Sequence, residues 1–307
     1  MLLADFVRCD IDVAPAVEAD GPVRIAAWTC GDGPPLLLLH GWPQSHLMWH
    51  AVAPALAREF TVVLTDLRGY GESDAPPAGA ASTGYAGYGK RAMADDQVRV
   101  MQALGHERFS LIGHDRGARV GHRLALDHAE RVERLTLIDV VPTRHVLETA
   151  DLALARAYFH WFLLGAPPPI PEQVLGADPE GWVRTVLRDS PLGGGVTWHP
   201  DALDAYLAAH RRPEVVAATI GDYRAALAVD LEHDRADAGR LLPMPTQVLW
   251  GADGFVGRRY DVLDVWASYA ADLTGLALPG GHFVPEQSPH ETLAALREHL
   301  APLLQPI

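Results

Sequence analysis

Leu111-Ile112-Gly113-His114-Asp115-Arg116-Gly117-Ala118 joins two different periodicities. The run Phe109-Ser110-Leu111-Ile112 is short and apolar, as a buried strand is, whereas apolar residues from Ala118 to Ala129 recur at helical spacing. Between them lies a G-x-D-x-G pentapeptide. A strand, a tight glycine-flanked turn and a helix together project one side chain over the edge of a sheet from a strained backbone position. The side chain so placed is Asp115, aimed at the positive end of the helix that follows. A carboxylate held there stays ionised and can attack carbon directly, which makes Asp115 the candidate nucleophile.

Outward from this turn the same rhythm continues. Leu36–Leu39, Thr61–Leu64, Leu135–Ile138 and Gln247–Trp250 are further short apolar runs, and Met93 to Leu104 has helical spacing. Continuous rather than alternating apolar strands fit a doubly wound, mostly parallel α/β sheet covered on both faces. From about Thr143 to Arg240 the rhythm stops. That span is helical in pattern, rich in aromatics, and broken by Pro167-Pro168-Pro169 and Gly193-Gly194-Gly195. The expected organisation is a core of residues 1–142 and 241–307 with a helical cap, 143–240, inserted over the site.

A nucleophile of this kind needs an acid and a histidine later in the chain, each after a strand. Asp139 follows Leu135–Ile138, and His282 lies in the turn Pro279-Gly280-Gly281-His282-Phe283. Asp253, in Gly251-Ala252-Asp253-Gly254, is a rival acid. It sits one residue short of the usual place after that glycine, so Asp139 is preferred as the group orienting His282, the general base. His40-Gly41-Trp42-Pro43 follows the first strong strand. Its Trp42 backbone N–H, paired with that of Arg116, would form an oxyanion hole.

The 307 residues suffice for one large domain, and 49% of them are hydrophobic, which excludes wholesale disorder. Net charge is −14 and the isoelectric point is near 5.4, so neither nucleic acid nor an anionic membrane is an expected partner. Of the 25 basic residues only Lys90 is a lysine. Cys9 and Cys30 cannot staple a fold of this size, and acid and base interrupt the first eight residues where a signal peptide needs an apolar run. A cytoplasmic protein is expected. The histidines show no H-E-x-x-H or Cys/His ligand pattern, so neither metal nor cofactor is expected.

Taken together, these residues resemble the α/β-hydrolase superfamily, in its aspartate-nucleophile branch of dehalogenases and epoxide hydrolases, from about Arg24 to Leu300. The elbow with its two arginines, Arg116 and Arg119, is similar to that of fluoroacetate (haloacetate) dehalogenases. Tyr158-Phe159-His160-Trp161, Asp222-Tyr223-Arg224, Asp66-Leu67-Arg68-Gly69-Tyr70-Gly71 and Leu126-Asp127-His128 strengthen the likeness. The resemblance implies a small anionic halo-acid substrate, an aspartyl-ester intermediate, halide donors at His160, Trp161 and Tyr223, and a homodimer.

Charge arithmetic agrees with that implication. A substrate carboxylate about 4 Å from ionised Asp115 is repelled by on the order of 4 kcal/mol at a dielectric of about 20. Arg116 and Arg119, i and i+3 at a helix start, share a face and can offset this as a substrate-carboxylate clamp. One departure stands out. The second cap tryptophan usual in these dehalogenases falls near Ser190 here, and Trp182 and Trp198 are both out of register. A smaller residue there would enlarge the pocket and admit heavier halogens or longer acids. The main rival is epoxide hydrolysis, with Tyr223 plus Tyr158 or Tyr206 as proton donors. A non-catalytic binding protein of the same fold is the other.

Overall fold

The computed structural model describes residues 2–13, 22–77, 83, 85–188 and 195–304. Eight strands form one sheet: β1 (Val7–Val13), β2 (Val23–Cys30), β3 (Pro35–Leu39), β4 (Thr61–Thr65), β5 (Phe109–His114), β6 (Val132–Ile138), β7 (Thr246–Gly251) and β8 (Leu273–Leu278). Their spatial order is β1-β2-β4-β3-β5-β6-β7-β8. β2 runs antiparallel to both β1 and β4, and every other pairing is parallel.

The five apolar runs are β3 to β7, the centre of the sheet. Leu36 to Leu39, Val62 to Leu64, Leu111, Ile112, Leu135, Leu137 and Val248 are fully buried, each side chain worth roughly 1.5–3 kcal/mol of burial. The strands the apolar pattern left out lie towards the edges. β1 carries Arg8, Asp10 and Asp12 and is mostly exposed, and β8 is largely exposed as well. Edge strands need no continuous apolar run, and charge on them discourages pairing with other chains.

The two helices that flank the elbow turn run from Lys90 to Ala103 and from Arg116 to Asp127. Both begin two or three residues before the apolar spacing does, because that spacing marks where a face is buried rather than where hydrogen bonding starts. Between β6 and β7 the chain makes eight helices among the described residues, from Thr143–Glu148 to Val229–Ala236. This insertion is tied to the core by ion pairs: Arg123 reaches Asp234 at 3.0 Å and Asp237 at 2.5 Å. Ser190 and the first two glycines of the triplet lie outside the described residues. No helix among those described is long and apolar enough to cross a membrane.

Candidate active site

Four loops at the carboxyl ends of parallel strands meet over the sheet, as ligand sites of open α/β sheets do. β5 ends at His114, and Asp115 follows with φ 46° and ψ −112°. β6 ends at Ile138, and Asp139 follows with φ 53°. Both carboxylates thus occupy backbone conformations that L residues rarely adopt, which the surrounding structure must hold in place. Close packing does so. A Cβ on Gly117 would lie 2.5 Å from the carbonyl oxygens of Leu39 and His40, and one on Gly41 would lie 2.7 Å from the Asp115 Cβ. The β3 loop therefore presses directly on the elbow. From it the Trp42 N–H donates to Asp115 Oδ2 at 3.1 Å. Arg116 opens the elbow helix, where the first N–H groups have no intrahelical acceptor.

His282 lies in the turn after β8. Its Nδ1–H donates to Asp139 Oδ2 at 2.6 Å, and Asp139 Oδ1 accepts the Gly251 N–H at 3.1 Å. The other ring nitrogen, Nε2, is left for the cavity that His282 and Asp115 both line. Asp253 is exposed, its backbone N–H bound to the Gly280 carbonyl at 2.9 Å; it is Asp139 that meets His282. His114 and His40 are scaffolding. His114 Nε2–H donates to the His282 carbonyl at 2.8 Å, and His40 accepts from the Leu67 N–H at 3.0 Å.

Electrostatics separate the acid from the base. Burial alone would push the Asp115 carboxyl up, but His282 and the two arginines outweigh it and hold the group below the ordinary carboxylate range. Burial opposes charge on His282, yet the hydrogen bond and negative charge of Asp139, with Asp115, raise its pKa. His160 has no such partner, and burial drives it down to about 3. It is a neutral imidazole in the unliganded site.

The insertion forms the roof. Tyr158, His160, Trp161, Val186 and Tyr223 line the cavity with Trp42, Asp115, His282 and Phe283. The space open to the centre of a water molecule is only about 10 Å³, roughly one water's worth. His160 stacks on Trp42 at 5.5 Å and meets Tyr223 edge-on at 5.7 Å. The candidate tryptophans Trp182 and Trp198 pack elsewhere, against Phe159 and against Tyr206 and Phe283. Among the described residues Val186, one helical turn before position 190, faces the pocket instead. Tyr206 donates to Glu286 at 3.3 Å.

Both arginines are buried, each against an aromatic ring of the cavity wall. Arg116 lies 4.3 Å from the Tyr223 ring centre, and Arg119 lies 4.6 Å from that of Trp161. Their polar partners differ. Arg116 Nε donates to Asp222 Oδ2 at 2.9 Å, Nη2 donates to Oδ1 and to the Asp222 carbonyl, and Nη1 has no hydrogen-bond partner among the described residues. Arg119 donates to the Val141 carbonyl at 3.1 Å and to Thr143 Oγ1 at 3.0 Å. Among the described residues it forms no ion pair. Asp222 went unassigned in the sequence reading, although it adjoins Tyr223. Lys90, which also donates to Asp222, carried a signal as the single lysine.

Residues 34–289 match the family model described as alpha/beta hydrolase fold. A fluoroacetate dehalogenase from Burkholderia sp is 44% identical over 281 residues, 92% of this chain and 91% of its own length. A soluble epoxide hydrolase from Corynebacterium sp. (strain C12) is 33% identical, covering 90% of this chain and 93% of that one. A solved alpha/beta hydrolase structure from Nostoc sp PCC 7120 superposes with a TM-score of 0.89 at 46% identity, covering 98% of this chain and 99% of the other.

Proposed function

This chain belongs to the alpha/beta hydrolase fold family, and within it we propose that it hydrolyses the carbon–halogen bond of a short 2-halo carboxylic acid, such as a haloacetate. The observation that carries this reading is Arg119: a buried guanidinium that forms no direct ion pair among the described residues, on the helix that starts at the buried, ionised Asp115. A buried cation that binds only neutral oxygens is costly unless an anion joins it. A neutral epoxide or haloalkane would not, whereas a carboxylate would. The 44% identity to a fluoroacetate dehalogenase adds support.

In the proposed sequence the substrate carboxylate is held by Arg119 and by Arg116 Nη1. An Asp115 oxygen attacks the α-carbon from the side opposite the halogen. The carbon–halogen bond breaks with its electron pair, leaving halide and an ester on Asp115. His160, Trp161 and Tyr223 donate hydrogen bonds to the departing halide in a site the roof keeps nearly dry. His282 Nε2 then takes a proton from water, which attacks the ester carbonyl carbon of Asp115. The Trp42 and Arg116 N–H groups hold the oxyanion, and the 2-hydroxy acid leaves with one proton released overall.

Epoxide hydrolysis is the second reading, favoured by Tyr158 and Tyr223, which both line the cavity and could protonate an epoxide oxygen. A panel of fluoro-, chloro- and bromoacetate, 2-halopropionate and styrene oxide separates the two. Halide released in step with 2-hydroxy acid is the expected result. Diol from styrene oxide, with no halide from any acid, would overturn the proposal.

A further inference from the structure

Behind the roof, the single lysine of an arginine-rich chain is buried against the site. Lys90 Nζ donates to Asp222 Oδ1. The same carboxylate receives Arg116 through Nε and Nη2, and its Oδ2 also accepts the Tyr70 hydroxyl at 2.6 Å. Three core groups, from the loop after β4 and from the starts of two helices, therefore grip one side chain of the insertion helix Pro213–Leu227. The next residue on that helix is Tyr223, whose ring covers Arg116. Asp230 lies further off, its Oδ2 3.8 Å from Nζ and its Oδ1 accepting the Lys90 backbone N–H at 2.7 Å.

Charge counting shows what this arrangement costs the site. Asp222 by itself would cancel Arg116, leaving little net field for a substrate anion. Lys90 and Arg116 divide the Asp222 carboxylate, the second carboxylate, Asp230, compensates Lys90 from 3.8 Å, and Arg116 Nη1 has no hydrogen-bond partner among the described residues. We propose that Lys90 is a positioning residue of the substrate site: by sharing Asp222, it leaves the Arg116 guanidinium fixed in place but only partly neutralised, and so able to attract an anion. This rests on the reading that the substrate is a carboxylate. It adds that recognition of the anion depends on a lysine that does not line the pocket.

The test uses Lys90→Gln, which can keep a donor towards Asp222 but loses the charge, together with Lys90→Arg and the charge-balanced pair K90Q/D222N. Inhibition by glycolate, the anionic product of haloacetate hydrolysis, is compared with inhibition by neutral glycolamide. K90Q is expected to weaken glycolate, and to raise KM for haloacetate, on the order of tenfold. Inhibition by glycolamide should be unchanged and kcat within about twofold of wild type. K90R should retain tight glycolate binding, and K90Q/D222N should recover most of what K90Q loses, which a general packing defect would not do. Should K90Q fail to fold, the balanced pair alone decides: near-wild-type glycolate binding supports the proposal, and its loss overturns it. Equal weakening of glycolate and glycolamide, or a fall in kcat with KM unchanged, would also overturn it. If wild type releases no halide yet prefers glycolate to glycolamide, the reaction assignment fails, and the selective loss of glycolate inhibition in K90Q still supports the role of Lys90 while its retention overturns it.

Discussion

Arg116 and Arg119 stand one helical turn apart, yet the regions they face have little in common. On the insertion side Arg116 meets a buried carboxylate already shared with Lys90 and Tyr70. Arg119, beside the Trp161 ring, donates among the described residues only to the Val141 carbonyl and the Thr143 hydroxyl. A guanidinium held by a carboxylate has a fixed geometry and a reduced field; one held by neutral oxygens keeps its charge. Under the proposed function the difference divides the work of binding an anion: Arg116 would supply direction, and Arg119 charge.

The most severe way to break this comparison is to remove the anion whose charge both arginines help to stabilise. Asp115→Asn should lower halide release by on the order of 10⁴-fold, with mass analysis of the variant excluding reversion by deamidation. His282→Gln should still release one equivalent of halide per site and then stop, its ester appearing as a mass increment on the intact chain.

Substituting each arginine in turn sharpens the contrast. Arg119→Met is expected to raise KM for haloacetate on the order of 100-fold with the denaturation midpoint little changed, since no direct ion pair among the described residues is broken. Arg116→Met leaves Asp222 without the cation that holds both its oxygens, so its main effect should be lost stability, about 3–5 kcal/mol by denaturant unfolding. If the two variants behave alike, the distinction between direction and charge is wrong.

Smaller effects follow from the roof and from pH. Tyr223→Phe should slow defluorination on the order of tenfold and debromination much less, because bromide leaves without help. The His282 pKa is raised above 6.5, and in the proposed mechanism the ring must be neutral to activate water. The kcat profile should therefore fall as pH drops through that raised value and level off above it. Asp139→Asn removes the larger raising influence, leaving burial opposed only by Asp115, so the acid limb should move to lower pH as kcat falls.

How much of this was legible varies by region, and the reason is range. The elbow, the strands β3 to β7 and the candidate pair Asp139 and His282 rest on local rules: a glycine-flanked turn, a continuous apolar run, an acid or histidine just after a strand. β1 and β8 are edge strands that meet solvent, and β2, although largely buried between β1 and β4, mixes Arg24 and Thr29 into its apolar residues, so none of the three has such a signature. In the roof, helical spacing allowed a cap, yet it was packing that turned Val186 inward and carried Trp182 and Trp198 away.

What the chain alone determined is the chemistry at the end of each strand, because a strained turn needs particular residues at adjacent positions. Whether a given charge is available to a substrate is another matter. Arg116 and Arg119 lie three residues apart and differ only because Asp222 and Lys90, 106 and 26 positions from Arg116, fold against one of them. Electrostatic compensation acts through space over a few ångströms, and only the tertiary structure brings such distant residues that close.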